Sequence, residues 1–448
     1  MRYGRAFLGL LGCLLCAGPA SATVFQLKPE WAGPCQAAAT VDVNLGNSPE
    51  NFVKACNCQI TGALPPPQVV SQWAQQLRTD PRLRRVDVAR SLEAAANKRL
   101  PFVYSNPWAN DPELPPAGPK KTNHRDIGAI TMFFFNCPGG VNCGMDWASA
   151  HVDGMQTPSN MLAWNGQPGY YDPKNPGFWT RELHDAKAAG LDFLLANVYG
   201  PDMQKGQVQT LAQALAKESD PVKVALMDDT WPWGEQWFGP YWQVKPDLND
   251  PTRAAAKLYE AKWKPFFTQV PRKNWYLIQG RPLIYFYNGG KLQPLTLASA
   301  TMRRMKDHFK ADFGVEPFVA ADVAYYNDPD MKRVADEKFI WVPLDSTPDN
   351  ISWSNMKGVT LCHAITRWDA MGRDKPGQIP GPQDRLHKGP EILEKVLAAT
   401  QSADILVLGT WNDLGEGTSL NRAYDYYYLG QWQAPDTYIQ LLRQAHEQ

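Results

Sequence analysis

What this chain has little of narrows it first. It has no excess charge of either sign: 45 Lys and Arg stand against 45 Asp and Glu in 448 residues, with only 7 His. A chain so balanced offers no electrostatic footprint for a polyanion. It also shows no RNA-binding or zinc-finger motif, so nucleic acid is not an expected partner. No Gly-x-Gly-x-x-Gly turn follows an early apolar run, which argues against a dinucleotide fold. No Gly-x-Ser-x-Gly elbow is present, which disfavours a serine esterase or amidase. The histidines do not cluster, and no second Cys pair or His pair stands at ligand spacing. Neither a zinc site nor a metal-dependent deacetylase is therefore expected, and no metal or cofactor is predicted. Beyond the opening segment, no stretch is long and apolar enough to span a membrane.

That opening segment, residues 1–22, reads as an export signal. Arg2 and Arg5 supply a positive start, and the apolar run Phe7 to Cys16 is too short to span a bilayer. Ala20-Ser21-Ala22 is a small-residue cleavage site, which predicts a mature chain starting at Thr23 in a secreted or periplasmic setting. Leu10-Leu11-Gly12-Cys13 loosely resembles a lipoprotein box, but the apolar run continues past Cys13, which favours soluble export. Export changes how the cysteines read. Six remain after cleavage: Cys35, Cys56, Cys58, Cys137, Cys143 and Cys362. Cys137 and Cys143 can close a small loop, Cys35 can join either Cys56 or Cys58, and Cys362, inside an apolar run, reads as a buried free thiol.

What is abundant is aromatic: 17 Trp, 17 Tyr and 17 Phe, beside 38 Pro. Flat aromatic faces stack on sugar rings, and they also fill large cores. Residues 23–125 are Pro-rich and read as an irregular N-terminal extension, with helical spacing only at Gln68–Leu77 and Val86–Asn97. From residue 126 onward the pattern is regular. Short apolar runs recur at Ile127–Phe135, Leu191–Val198, Val222–Met227, Pro282–Tyr287, Pro317–Ala321, Phe339–Leu344, Val359–Ala364 and Ile405–Gly409. Helical signals at Phe178–Ala189, Met203–Glu218, Thr252–Tyr276, Leu295–Asp312, Arg385–Thr400 and Ala434–Glu447 fall between and after them. Eight buried-type strands alternating with helices predict an α/β fold, a (β/α)8 TIM barrel over residues 126–448.

A barrel gathers the carboxyl ends of its strands around one site. The polar residues there are Asn136, then Asn197 and Tyr199, then Asp228, Asp229 and Trp231, then Tyr287 and Asn288, then Asp322, Asp345, and His363 with Arg367. The eighth run leads into Trp411-Asn412-Asp413-Leu414-Gly415-Glu416. Carboxylates, amides and aromatics make a sugar site more readily than a zinc or thiol site. Asp413 and Glu416 stand three apart, so one helical turn points both the same way. Glycoside cleavage needs two carboxyl groups, and two close carboxyls push their pKa values apart. Trp411 offers a stacking face and Asn412 a hydrogen-bonding amide. Asp228, Asp229, Trp231, Tyr199, Tyr287 and Asp322 are candidate substrate contacts. His363, on an apolar strand, reads as a satisfied core histidine.

The segment Thr410 to Thr418 resembles the last-strand motif of glycoside hydrolase families 71 and 99 and their bacterial relatives. Family 71 carries a Trp-Asn-Asp-x-Gly-Glu version and cleaves α-1,3-glucan; family 99, the endo-α-mannosidases, carries an Asn-Glu-Trp-x-Glu-Gly version. Ile130–Asn136, Gly280–Tyr285 and Asp384–Leu397 extend the likeness, which spans residues 126 to 432. The resemblance implies a carbohydrate substrate, Glu416 as general acid, and Asp413 as base toward water or a neighbouring sugar hydroxyl. Asp413 follows family 71, whereas Gly417-Thr418 follows family 99, and Ser419 to Arg422 replaces the ending usual in family 99. The sugar and the stereochemistry stay open. The expected function is a secreted glycosidase acting on an α-linked glucan or mannan type of polysaccharide or oligosaccharide; the alternative is a non-catalytic glycan-binding barrel.

Overall fold

The computed structural model describes residues 24–26, 35, 40–42, 49–79, 85–97, 114–115, 117–133, 156–158, 173–174, 176–198, 200–235, 239–288, 290–341, 351–366, 390–413, 418–427, 431–433 and 436–447. Among these, eight strands form the wall of a nearly closed barrel. They are β1 (Asp126–Met132), β2 (Phe193–Val198), β3 (Lys223–Asp229), β4 (Arg281–Tyr287), β5 (Phe318–Asp322), β6 (Glu337–Phe339), β7 (Leu361–Ile365) and β8 (Ile405–Gly409). Each of β1 to β5 pairs in parallel with the next, β5 pairs with β6, β7 with β8, and β8 returns to β1. The first helix of the barrel, α1 (Pro176–Ala189), crosses from β1 to β2. Pro201–Lys217, Ala298–Phe313, Pro390–Ala399 and Thr437–Glu447 extend the outer layer. The stretch after β3 is helical from Pro251–Leu258 through a π-helical turn at Tyr259–Trp263 to Lys264–Gln269.

The (β/α)8 expectation holds, with one departure. An extra strand, Ile351–Ser354, pairs antiparallel with β7 and sits between β6 and β7. No ladder joins it to β6 among the described residues; a carboxylate does the joining. Glu337 of β6 is fully buried, accepts from the Ser354 hydroxyl, and takes the backbone N–H groups of Met356 at 2.7 Å and Lys357 at 3.0 Å. A buried carboxylate is tolerated only when its lone pairs are filled, and here backbone donors fill them.

The strands are buried on both faces, which is why they read as near-continuous apolar runs. Small residues make room where large ones lie flat. A Cβ on Gly128 would stand 2.2 Å from the Phe193 ring, and that ring stacks on Tyr276 at 3.9 Å. The Tyr276 hydroxyl donates to Asp126 at 2.7 Å, and Lys121 bridges Asp126 and Asp192, the latter at 2.9 Å. This group closes the amino-terminal end of the barrel.

Ahead of the barrel, the extension is more regular than its sequence suggests. Helices Pro67–Thr79 and Arg85–Ala96 correspond to the two expected signals, and Pro49–Thr61 is a third. They share a small core of Phe52, Val53, Cys56, Ile60, Val70, Val88 and Leu92. Cys35 is disulfide-bonded to Cys58, while Cys56 and Cys362 are buried free thiols. The expected Cys137–Cys143 pairing lies outside the described residues.

Gly128→Ala should destabilise the protein by about 1–3 kcal/mol, because the Phe193 ring is pinned by Tyr276 and cannot retreat. Urea denaturation of the variant against the parent checks this; an unchanged midpoint would mean the ring has room to move.

Candidate active site

Alternation along each strand decides which side chains reach the mouth of the barrel. Asp228 and Asp229 are neighbours in β3, so they face opposite ways. Asp228 turns to the helix layer, where its Oδ1 lies 2.8 Å from Lys262 Nζ and its Oδ2 accepts from the Trp263 indole at 2.9 Å. Its carboxyl is engaged in a buried ion pair on the helix side of the strand, away from Asp229. Asp229 shares the inner face with Met227 and with Tyr287, its partner in β4. It hydrogen-bonds Asn197 and accepts from the Trp231 backbone N–H at 2.9 Å. Burial pushes its carboxyl up to about 6, against the charge of Lys262. Asp229 is thus held closer to neutrality than an ordinary carboxyl at the inner face of the strand end.

Further round, Asp322 ends β5, accepts from Ala324 N–H at 2.8 Å, and is raised above the usual carboxylate range by burial. Tyr287 is half-buried, with its ring 5.2 Å from that of Trp341. Trp231 is also half-buried, with the Lys291 ammonium 5.3 Å above its ring and Lys291 paired to Glu235. His363 is fully buried; its Nε2 donates to the Trp341 carbonyl at 2.9 Å, and burial lowers its pKa to about 4. It is a neutral core histidine.

The eighth strand delivers its loop differently from expectation. Trp411 is fully buried, and its indole N–H donates to Glu182 of α1. Its backbone N–H donates to Ile130 at 2.6 Å. Trp411 is thus spent on packing, whereas Trp231, Tyr287 and Trp341 are half-buried. Asn412 is buried too: its Oδ1 accepts from Met132 N–H at 2.6 Å and its Nδ2 donates to Met132 C=O at 3.3 Å. The amide copies a strand partner and pins the loop to the end of β1, rather than waiting for a hydroxyl.

These anchors hold a turn that closes on itself. Asp413 N–H donates to Thr410 Oγ1 at 3.0 Å, and Thr418 N–H donates to the Asp413 carbonyl at 3.1 Å. Thr410 N–H reaches the Thr418 carbonyl at 3.2 Å, and the two threonine hydroxyls lie 2.7 Å apart. Asp413 is buried at this base. Glu416, Tyr199, Asn136, Asp345 and Arg367 lie outside the described residues. On the far limb, Asn421 N–H donates to the Trp411 carbonyl at 2.8 Å, and Arg422 grips Asp185 of α1 at 2.9 and 3.1 Å.

Glu182 and Asp185 escaped the sequence reading. Their signal was available: both fall on the buried stripe of α1, beside Phe178, Leu183 and Ala186. An acid on a core-facing stripe needs a partner, but the sequence does not say which.

Two outcomes follow from this geometry. Asn412→Ala should cost about 1–3 kcal/mol, the loss of a buried amide that leaves Met132 N–H unpaired, read by urea denaturation. His363 carries a pKa depressed below that of an unfolded histidine, so its contribution is full above about 6.5 and is lost as pH falls toward about 4. Thermal melts from pH 8 to pH 4 should show a shallower acid slope in His363→Asn than in the parent, and equal slopes would refute the neutral-core assignment.

Comparison with known proteins adds the following. The family described as "Domain of unknown function (DUF5010)" matches residues 138–447. No curated protein sequence matches the chain. Two solved structures of the GH99 endo-alpha-mannosidase from Bacteroides thetaiotaomicron are similar at 10% and 11% identity, each covering 72% of this chain and 96% of that chain, with TM-scores of 0.47 and 0.44. A glycoside hydrolase-like protein is similar at 13% identity over 75% of this chain and 97% of that chain, with a TM-score of 0.45.

Proposed function

The chain belongs to the DUF5010 family, and from that premise we propose that it is an exported glycoside hydrolase whose catalytic carboxyl pair is Asp413 and Glu416. The observation that carries the reading is the turn after β8. It leaves the carboxyl end of a barrel strand, where barrel enzymes hold their chemistry. It is closed between Asp413 and Thr418 and bound to both β1 and α1. Glycosidic bond cleavage needs two carboxyl groups, and the sequence sets Glu416 three residues after Asp413, whose own place at the base of the turn is fixed. Preorganisation of this kind lowers the barrier, because the groups need not be ordered during the reaction.

In this reading Glu416 protonates the departing glycosidic oxygen, and Asp413 acts as base toward water or a neighbouring sugar hydroxyl. Asp229 and Asp322 receive hydroxyls at the mouth, and Trp231, Tyr287 and Tyr199 contribute faces or hydroxyls. Trp411 and Asn412 hold the turn in place. The substrate is an α-linked glucan or mannan type of polysaccharide or oligosaccharide, supported by the motif from Thr410 to Thr418. The Cys35–Cys58 disulfide supports export, since such bonds persist in oxidising compartments.

Asp413→Asn and Glu416→Gln should each lower glycan hydrolysis by about a thousandfold or more, with the fold retained. Release of reducing ends from a panel of α-glucans and α-mannans is the measurement. Turnover unchanged in both variants would overturn the assignment; binding that survives without turnover in the parent would make the protein a glycan-binding barrel.

A further inference from the structure

Glu182 is the one buried carboxyl that touches both limbs of the candidate catalytic turn, among the described residues. It sits on α1, 1% exposed, and accepts from the Trp411 indole and from the Asn421 amide at 3.2 and 3.4 Å. Trp411 precedes Asp413 and Asn421 follows Thr418, so the carboxyl spans the base of the turn. The backbone bond from Asn421 N–H to the Trp411 carbonyl joins the same two residues. Asp185, three residues along α1, is neutralised by Arg422 and lies 3.3 Å from Arg181. Among the described residues, Asp185 and Arg181 on the helix are the charges that act on Glu182, and Asp185 in turn meets Arg422 on the loop and the titratable His184 imidazole at 3.1 Å.

We propose that Glu182 is the positioning residue of the strand-eight turn, a clasp that sets the seat of Asp413 from behind without touching substrate. The proposal rests on the hydrolase reading for its purpose, although the clasp itself is independent of it. Both partners are donors. An ionised Glu182 accepts from both at once with two strong acceptor oxygens, whereas a protonated one keeps a single strong acceptor, its carbonyl oxygen, and holds one of the two donors less firmly. Burial and the nearby Asp185 push its pKa up to about 8, against the Trp411 and Asn421 bonds. The clasp therefore changes its bonding in a pH range where an exported protein works. A residue that merely filled space would carry no such dependence.

The test needs no glycan. In full-length protein carrying 15N-labelled tryptophan, the Trp411 indole N–H resonance, assigned by its loss in Trp411→Phe, is followed from pH 6 to pH 9. It should titrate with a midpoint near 8, and the titration should vanish in Glu182→Gln. Amide exchange at residues 410–413 and 418–421, corrected for intrinsic rates, should be about tenfold faster in that variant, the equivalent of one buried hydrogen bond. A Trp411 resonance that titrates unchanged in Glu182→Gln, or loop amides that exchange as in the parent, would overturn the clasp. Should Glu182→Gln not fold, Asn421→Ala serves: loss of a donor to the charged form must move the midpoint upward, and an unmoved midpoint refutes the proposal. With an active substrate in hand, Glu182→Gln should lower kcat with KM little changed and remove the limb near pH 8. A titrating clasp in a protein that cleaves no glycan would sink the hydrolase reading and leave the clasp standing.

Discussion

The barrel mouth is organised by the docking of residues 411–412 and 421–422 onto the end of β1 and the buried stripe of α1. Met132 meets the Asn412 amide on both its N–H and its C=O, Ile130 takes the Trp411 N–H, and Glu182 and Asp185 take Trp411, Asn421 and Arg422. This is where the last strand meets the first. A barrel has to satisfy its backbone across that junction, and beyond the final ladder pair a side-chain amide does so. The seat of Asp413 depends on it, because these contacts anchor the turn that carries Asp413 at its two feet.

Buried acids are placed with care throughout the wall. Asp228 answers to Lys262 and Trp263, Glu337 to Ser354 and two backbone N–H groups, and Asp185 to Arg422. Removing one partner from such a pair would strand a charge in a medium that solvates it poorly. Asp229 and Glu182 differ from these. Their hydrogen bonds come from neutral donors, and among the described residues no cation forms a salt bridge with either, so burial raises their pKa values. One faces the mouth and the other lies behind it, which separates a group suited to meeting ligand from a group suited to holding the loop.

Much of the architecture was legible. Strands buried on both faces must be continuously apolar, so Leu191–Val198 and Ile405–Gly409 announced themselves, and the helices between them showed their stripes. The extra strand Ile351–Ser354 did not, because Ser352 and Ser354 break the run and an antiparallel insertion has no signal of its own. The helix Pro49–Thr61 was hidden by its Asn, Cys and Thr content, residues that favour caps and turns when read singly. At the site, residue type alone did not show that Trp411 and Asn412 are spent on packing and on Met132. Trp411 and Asn412 look like ligand residues by type, and their burial is a property of what packs over them.

The sequence alone determined the main periodicities: the eight parallel wall strands, most of the helices between them, and therefore that one end of a barrel collects Asp229, Tyr287, Asp322 and the Asp413 turn. Local rules suffice for this, since a two-residue or 3.6-residue repeat is written in the chain. Only the tertiary structure decided that Asp228 turns outward to Lys262 while Asp229 turns inward. It also decided that Trp411 reaches across to Glu182, 229 residues earlier in the chain, and that Asn412 closes on Met132, 280 residues away. Which face of a strand is inside, and which distant donor fills a buried carboxylate, depends on where the sheet closes, and no local pattern records that.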